Sequence, residues 1–181
     1  DECSRLLNKD EDKMSKFIEW SNVISVGIEE IDTQHKLIVD LVNEIHDAIQ
    51  QRLGAKITGD VLQRLDEYVR VHFIVEESLM RILHYPDYER HKGEHEKLIR
   101  QLMGFRDKLS AGKVSISFEL DHFLRTWLTK HIMEVDKHYA KFFLERDIQP
   151  KLLQSSWSQR IWQSLSRKPV VESKEQKAHQ L

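Results

Sequence analysis

Apolar residues recur at helical spacing along most of the chain, and four stripes can be traced. In the first, Leu37, Leu41, Ile45 and Ile49 follow one another at i+4, widened by Ile38, Val42 and Ala48. Asp32 or Thr33 is the expected N-cap of this helix and Gly54 its expected end. Gly59-Asp60 is the predicted opening of a second helix over about 61–83, with Leu62, Leu65, Val69, Phe73, Leu79, Met80 and Leu83 facing inward. His84-Tyr85-Pro86 stops it, because proline disfavours helix in the residue before it. Asp87 is placed to cap a third helix that carries Leu98, Ile99, Leu102, Phe105 and Leu109 up to the break at Ala111-Gly112. The fourth is predicted from about Ser117, through Phe118, Phe123, Leu124 and Trp127, to near Arg146. Four helices of this length joined by short connections predict an all-α, up-down-up-down four-helix bundle.

The flanks read differently. Residues 1–16 are mostly polar and are expected to form a disordered lead, within which Met14 is a candidate start. Phe17, Ile18 and Trp20, followed by Val23-Ile24-Ser25-Val26-Gly27-Ile28, form an N-terminal arm expected to pack across the bundle. After Pro150, Leu153, Trp157, Ile161 and Leu165 repeat every four residues and predict a short C-terminal amphipathic helix before a polar tail. The resulting division is 1–16 lead, 17–148 bundle and 149–181 C-terminal helix and tail.

Composition adds exclusions. A chain of 181 residues suits one domain with appended tails, and a net charge of −2 gives no reason to expect nucleic acid or an anionic membrane as a partner. No apolar run approaches the roughly 20 residues of a membrane span, and no secretory signal opens the sequence. Cys3 is the single cysteine, so no intrachain disulfide can form and a reducing, cytoplasmic setting is expected.

Ten histidines is the unusual count. His72 and Glu76 lie four apart inside the second stripe, so they share its inner face. A buried carboxylate is costly unless paired or metal-bound. By helical rise, Glu76 lies about 13 Å below the turn at Tyr85, and His95 about 12 Å below the same turn on the third helix, just past His91. His35 on the first helix falls at a matching height, and His131 and Asp136 come from the fourth. One histidine on an apolar face is usually a satisfied core residue. Five imidazoles (His35, His72, His91, His95, His131) and two carboxylates (Glu76, Asp136) in one layer are not explained that way. Imidazole and carboxylate without thiolate suit iron, copper, zinc or nickel, and seven donors exceed one ion's needs, which points to a dinuclear site. His131 and Asp136 are five apart, so both face inward only if the helix bulges or unwinds between them.

The remaining histidines, His46, His84, His122, His138 and His179, have no partner in this layer and are expected at the surface. A ferritin-like oxidase needs Glu-x-x-His on two helices, whereas this chain has the single pairing Glu119-x-x-His122 and too few carboxylates. A zinc protease is excluded because His95-Glu96-Lys97-Leu98-Ile99 lacks the second histidine of its motif.

Four segments carry a family resemblance: Gly27-Ile28-Glu29-Glu30-Ile31-Asp32-Thr33-Gln34-His35, His72-Phe73-x-x-Glu76-Glu77, Tyr85-Pro86 followed by His91-x-x-x-His95, and His131-Ile132-x-x-x-Asp136-x-x-Tyr139. Together they resemble the hemerythrin family, most of all its single-domain bacterial form, over about residues 20–148. The resemblance implies two non-haem iron ions. His91, His95 and His131 would hold one and His35 and His72 the other, with Glu76, Asp136 and an oxo or hydroxo group as bridges. It implies O2 as the ligand of the less filled iron, and an oxygen carrier, storage or delivery protein that is not an enzyme. Ile38, Leu124 and Trp127 are the expected apolar pocket wall. Oxygen or redox sensing, and peroxide or nitric-oxide chemistry at the same site, are the alternatives. The C-terminal stripe is expected to dock on the bundle, with a protein or membrane-surface contact through residues 151–166 as its alternative.

Overall fold

The structure is a computed structural model and describes residues 16–112 and 116–146. Their helices are α1 (Glu29–Gln50), α2 (Ala55–Ile82), α3 (Tyr88–Ser110), α4 (Ile116–Lys130), a π-helical segment (His131–Asp136) and α5 (Lys137–Leu144). No strand occurs among the described residues. The last three run on as one rod, so the architecture is the expected four-helix bundle. α2 packs between α1 and α3, and α4 closes the ring against both.

Helix starts depart most from the sequence expectation. α1 begins three residues before Asp32, with Ile28 at the N-cap position. Asp32 instead holds the preceding turn: its carboxylate accepts from Ser25 Oγ at 2.6 Å, Val26 N at 2.8 Å and Gly27 N at 3.2 Å. Thr33 bonds back to the Glu29 carbonyl from within the helix. Gly54 does not end α1, which stops at Gln50, but sits at the N-cap of α2 with φ +90°. That backbone is open essentially to glycine alone and lets α2 start at Ala55, well before Gly59-Asp60. Thr58 closes the first turn, its amide and hydroxyl both donating to the Gly54 carbonyl. The turn at His84-Tyr85-Pro86 falls as expected, with His84 at φ +53°. Asp87 occupies the N-cap position of α3, although its side chain makes no capping bond.

The buried stripe of α1 is rotated from the predicted one. Ile31, Ile38, Val42 and Ile45 are buried, while Leu37, Leu41 and Ile49 are only half-buried. Each fully buried isoleucine stabilises the bundle by about 1.5–3 kcal/mol relative to exposure. Phe118, expected inside, is 79% exposed. The arm packs across the bundle as expected. Asn43 on α1 clamps Ile18, accepting from its amide at 2.8 Å and donating to its carbonyl at 2.9 Å. Phe17 lies flat on His46, whose Nδ1 bonds Asp121 at 2.8 Å. His46 is thus a half-buried tie between arm and helices, not the surface residue expected. No described helix is long and apolar enough to cross a membrane. The C-terminal stripe from Leu153 to Leu165, the polar lead up to residue 15 and His179 lie outside the described residues.

Candidate metal centre

Each helix of the bundle contributes to one buried layer. α1 supplies His35, α2 His72 and Glu76, α3 His91 and His95, and the π segment His131 and Asp136. All seven are buried, Glu76 and Asp136 completely. The widened turn between His131 and Asp136 is what the sequence required: it brings two residues five apart onto one face.

The two carboxylates divide their oxygens between two sets of imidazoles. Glu76 Oε1 lies 3.4 Å from His72 Nε2 and 3.8 Å from His35 Nε2, while Oε2 lies 3.2 Å from His95 Nε2 and 3.6 Å from His91 Nε2. Asp136 Oδ1 lies 3.2 Å from His131 Nε2 and 3.6 Å from His91 Nε2, with Oδ2 3.4 Å from His35 Nε2. Two overlapping donor groups result: Glu76, His91, His95, His131 and Asp136 in one, His35, His72 and Glu76 in the other.

These donors fit cations. His35 Nδ1 and Nε2, Glu76 Oε2, His131 Nε2 and both Asp136 oxygens are buried without a hydrogen-bond partner. Each unsatisfied buried group costs about 1–3 kcal/mol, a penalty that coordination removes. Charge agrees. Burial alone would raise the Glu76 carboxyl, but His72, His91 and His95 hold it well below the usual carboxylate range. Burial and Glu76 push Asp136 up, and His131 and His35 outweigh them to leave it low. Both carboxylates are therefore ionised. Burial drives His72 down to about 3, so it is a neutral donor. His95 behaves oppositely: burial lowers it, but Glu76 and Glu77 raise it to about 9. His35 is likewise raised, burial being outweighed by Asp136 and Glu76.

A family model described as the hemerythrin HHE cation binding domain matches residues 26–143 of this chain, the span that contains all seven donors. The chain belongs to the hemerythrin family. A bacteriohemerythrin of Methylococcus capsulatus is 39% identical over 109 residues, covering 60% of this chain and 82% of the relative. One from Pseudomonas aeruginosa is 38% identical over 121 residues, covering 67% of this chain and 78% of the relative. A crystal structure of wild-type hemerythrin superposes with a TM-score of 0.64 at 34% identity, covering 68% of this chain and 95% of that one. Hemerythrin membership carries non-haem iron binding with it, and the buried histidine and carboxylate cluster is the matching candidate site.

Around this hemerythrin centre lie residues that sequence reasoning gave no role. Gln34 Oε1 accepts from His72 Nδ1 at 2.8 Å, Glu77 Oε1 pairs with His95 Nδ1 at 2.9 Å, and the Tyr139 hydroxyl donates to Glu76 Oε1. All three stand within the family motifs, and two adjoin a donor in sequence. The layer therefore holds acid–base groups beyond the seven donors. Tyr139 is nonetheless a poor acid, since burial and then Glu76 and Asp136 raise its phenol well above the ordinary value. Of the expected wall residues, Ile38 and Leu124 are buried, and Trp127 stacks on His131 at 4.8 Å, beside the three-imidazole group. On the other side the Trp20 indole, from the arm, lies 6.5 Å from the His35 ring. Glu119 and His122 are exposed and take no part in the layer, and His84 and His138 are exposed as expected.

Proposed function

We propose that this chain binds O2 reversibly at two non-haem iron ions, as a carrier, store or delivery protein. His91, His95 and His131 would hold one ion and His35 and His72 the other, with Glu76 and Asp136 spanning both and an oxo or hydroxo group completing the bridge. The observation that carries this reading is the divided carboxylates, which address three imidazoles on one side and two on the other. The two-imidazole side has one imidazole fewer, which would leave a position open to an exogenous molecule. Iron held there in its reduced form would supply the electrons that O2 draws on when it binds, and would recover them when O2 leaves.

The protein's own part is to hold, enclose and stay inert. Buried Ile38 and Leu124, with Trp127 on His131 and Trp20 beside His35, would supply the apolar wall that keeps water out. Tyr139 keeps its proton and orients Glu76 rather than delivering acid to a bound ligand. A site poor in available protons favours release of O2 over turnover, so a carrier is favoured over an enzyme.

Metal analysis of protein from iron-supplemented cells is expected to give two iron ions per chain, one for each donor group. Glu76→Gln removes a shared carboxylate, and should weaken iron binding by more than the about 10- to 100-fold typical of an outer-shell loss. One iron per chain, or a Glu76→Gln variant with full iron and an unaltered spectrum, would contradict the assignment.

A further inference from the structure

The hydrogen bonds behind the imidazoles differ between the two halves of the centre. His95 Nδ1 donates to Glu77 Oε1 at 2.9 Å, and His72 Nδ1 donates to Gln34 Oε1 at 2.8 Å. Both bonds hold a proton on Nδ1, so a ring that coordinates a metal does so through Nε2, which faces Glu76 in each case. The orientation of Gln34 is itself fixed, because its Nε2 donates to Glu30 Oε1 at 3.3 Å and leaves the carbonyl oxygen for His72. His95 and His72 are buried to the same degree, within a per cent, so solvent does not level the difference between their partners.

That difference is one of charge. An imidazole N–H bonded to a carboxylate carries more electron density on its opposite nitrogen, while an amide oxygen polarises the ring far less. A stronger donor set stabilises the higher oxidation state of a bound metal. Resting on the di-iron reading above, we propose that Glu77 and Gln34 are positioning residues that set the two halves to unequal reduction potentials. Glu77 biases the three-imidazole half towards the ferric state, and Gln34 leaves the two-imidazole half, where the exogenous ligand enters, more easily kept ferrous. The fold thus encodes which ion is oxidised first through two residues that touch neither metal nor ligand.

The test exchanges the charges in iron-loaded protein: Glu77→Gln, Gln34→Glu and the double swap. Iron content is measured first, followed by spectroelectrochemical titration and the Mössbauer spectrum of the one-electron-reduced form. Glu77→Gln should favour reduction by about tenfold in the equilibrium constant, about 59 mV for a one-electron couple. Gln34→Glu should oppose reduction to a similar extent, and the double swap should move the ferric ion to the two-imidazole half. A purely structural role would lower melting temperature without these opposite shifts. If Glu77→Gln sheds its iron, Gln34→Glu decides alone. Variants that hold two irons with unshifted potentials would overturn the proposal while leaving the di-iron reading intact. Wild-type protein without two irons would overturn both.

Discussion

At the scale of single residues, Glu76 and Asp136 are anions enclosed by rings that differ in readiness to carry a proton. His95, raised to about 9 by Glu76 and Glu77 against its burial, is protonated at neutral pH in the metal-free chain. It must lose that proton to coordinate, so iron uptake at pH 7 should release protons, and affinity should rise with pH up to about 9. The sign for stability is the reverse. A folded value above the unfolded 6.5 gives stability that is complete below pH 6.5 and lost as pH rises through about 9. Metal-free protein should therefore lose this contribution on going from pH 6.5 to 9, just where metal binding strengthens. Calorimetry of metal uptake in buffers of different ionisation enthalpy checks the first point, and buffer-independent heats would refute it. The donors were legible in the sequence because histidine and carboxylate interrupt apolar stripes at helical spacing. Gln34, Glu77 and Tyr139 were not, since a polar residue at the edge of a buried face looks the same as one facing water.

Among the elements, the π segment governs the site most directly. In a regular α-helix Asp136 would lie roughly 140° away from the face of His131, and only the widened turn reunites them. Deleting the exposed Met133 would leave the pair four apart, an ordinary α-helical spacing that keeps both inward. Inserting an alanine at the same place would rotate Asp136 and Tyr139 by about 100°. The deletion is expected to retain iron and the insertion to lose it; equal loss in both would show that the π geometry is not what aligns the ligands. This bulge could be foreseen because two donors fixed both ends of the segment. Helix starts could not. Asp32 has the chemistry of an N-cap, but its carboxylate is taken by three donors of the preceding turn. Gly54 has the chemistry of a helix end, but its left-handed backbone serves the start of the next helix. Local propensity is the same in either case, and tertiary contacts choose between them.

For the molecule as a whole, the bundle was readable because helical periodicity and loop signals agree along the chain, whereas the rotation of each stripe was not. Leu37 and Leu41 are as apolar as Ile38 and Val42, and only the approach of the neighbouring helices decides which pair is buried. The arm has no periodicity of its own, and its seat depends on Asn43 and His46, polar side chains whose partners lie far off in sequence. Helices and arm together enclose one buried layer of donors, and reversible O2 binding there is the claim on which the functional account stands. The direct measurement is the absorption spectrum of iron-loaded protein, reduced without air, mixed with O2 in a stopped-flow cell and then stripped of O2. The account predicts a visible band that forms on mixing, vanishes when O2 is removed, and returns through repeated cycles. Direct decay to the diferric protein with release of hydrogen peroxide, and no band that can be reversed, would contradict it.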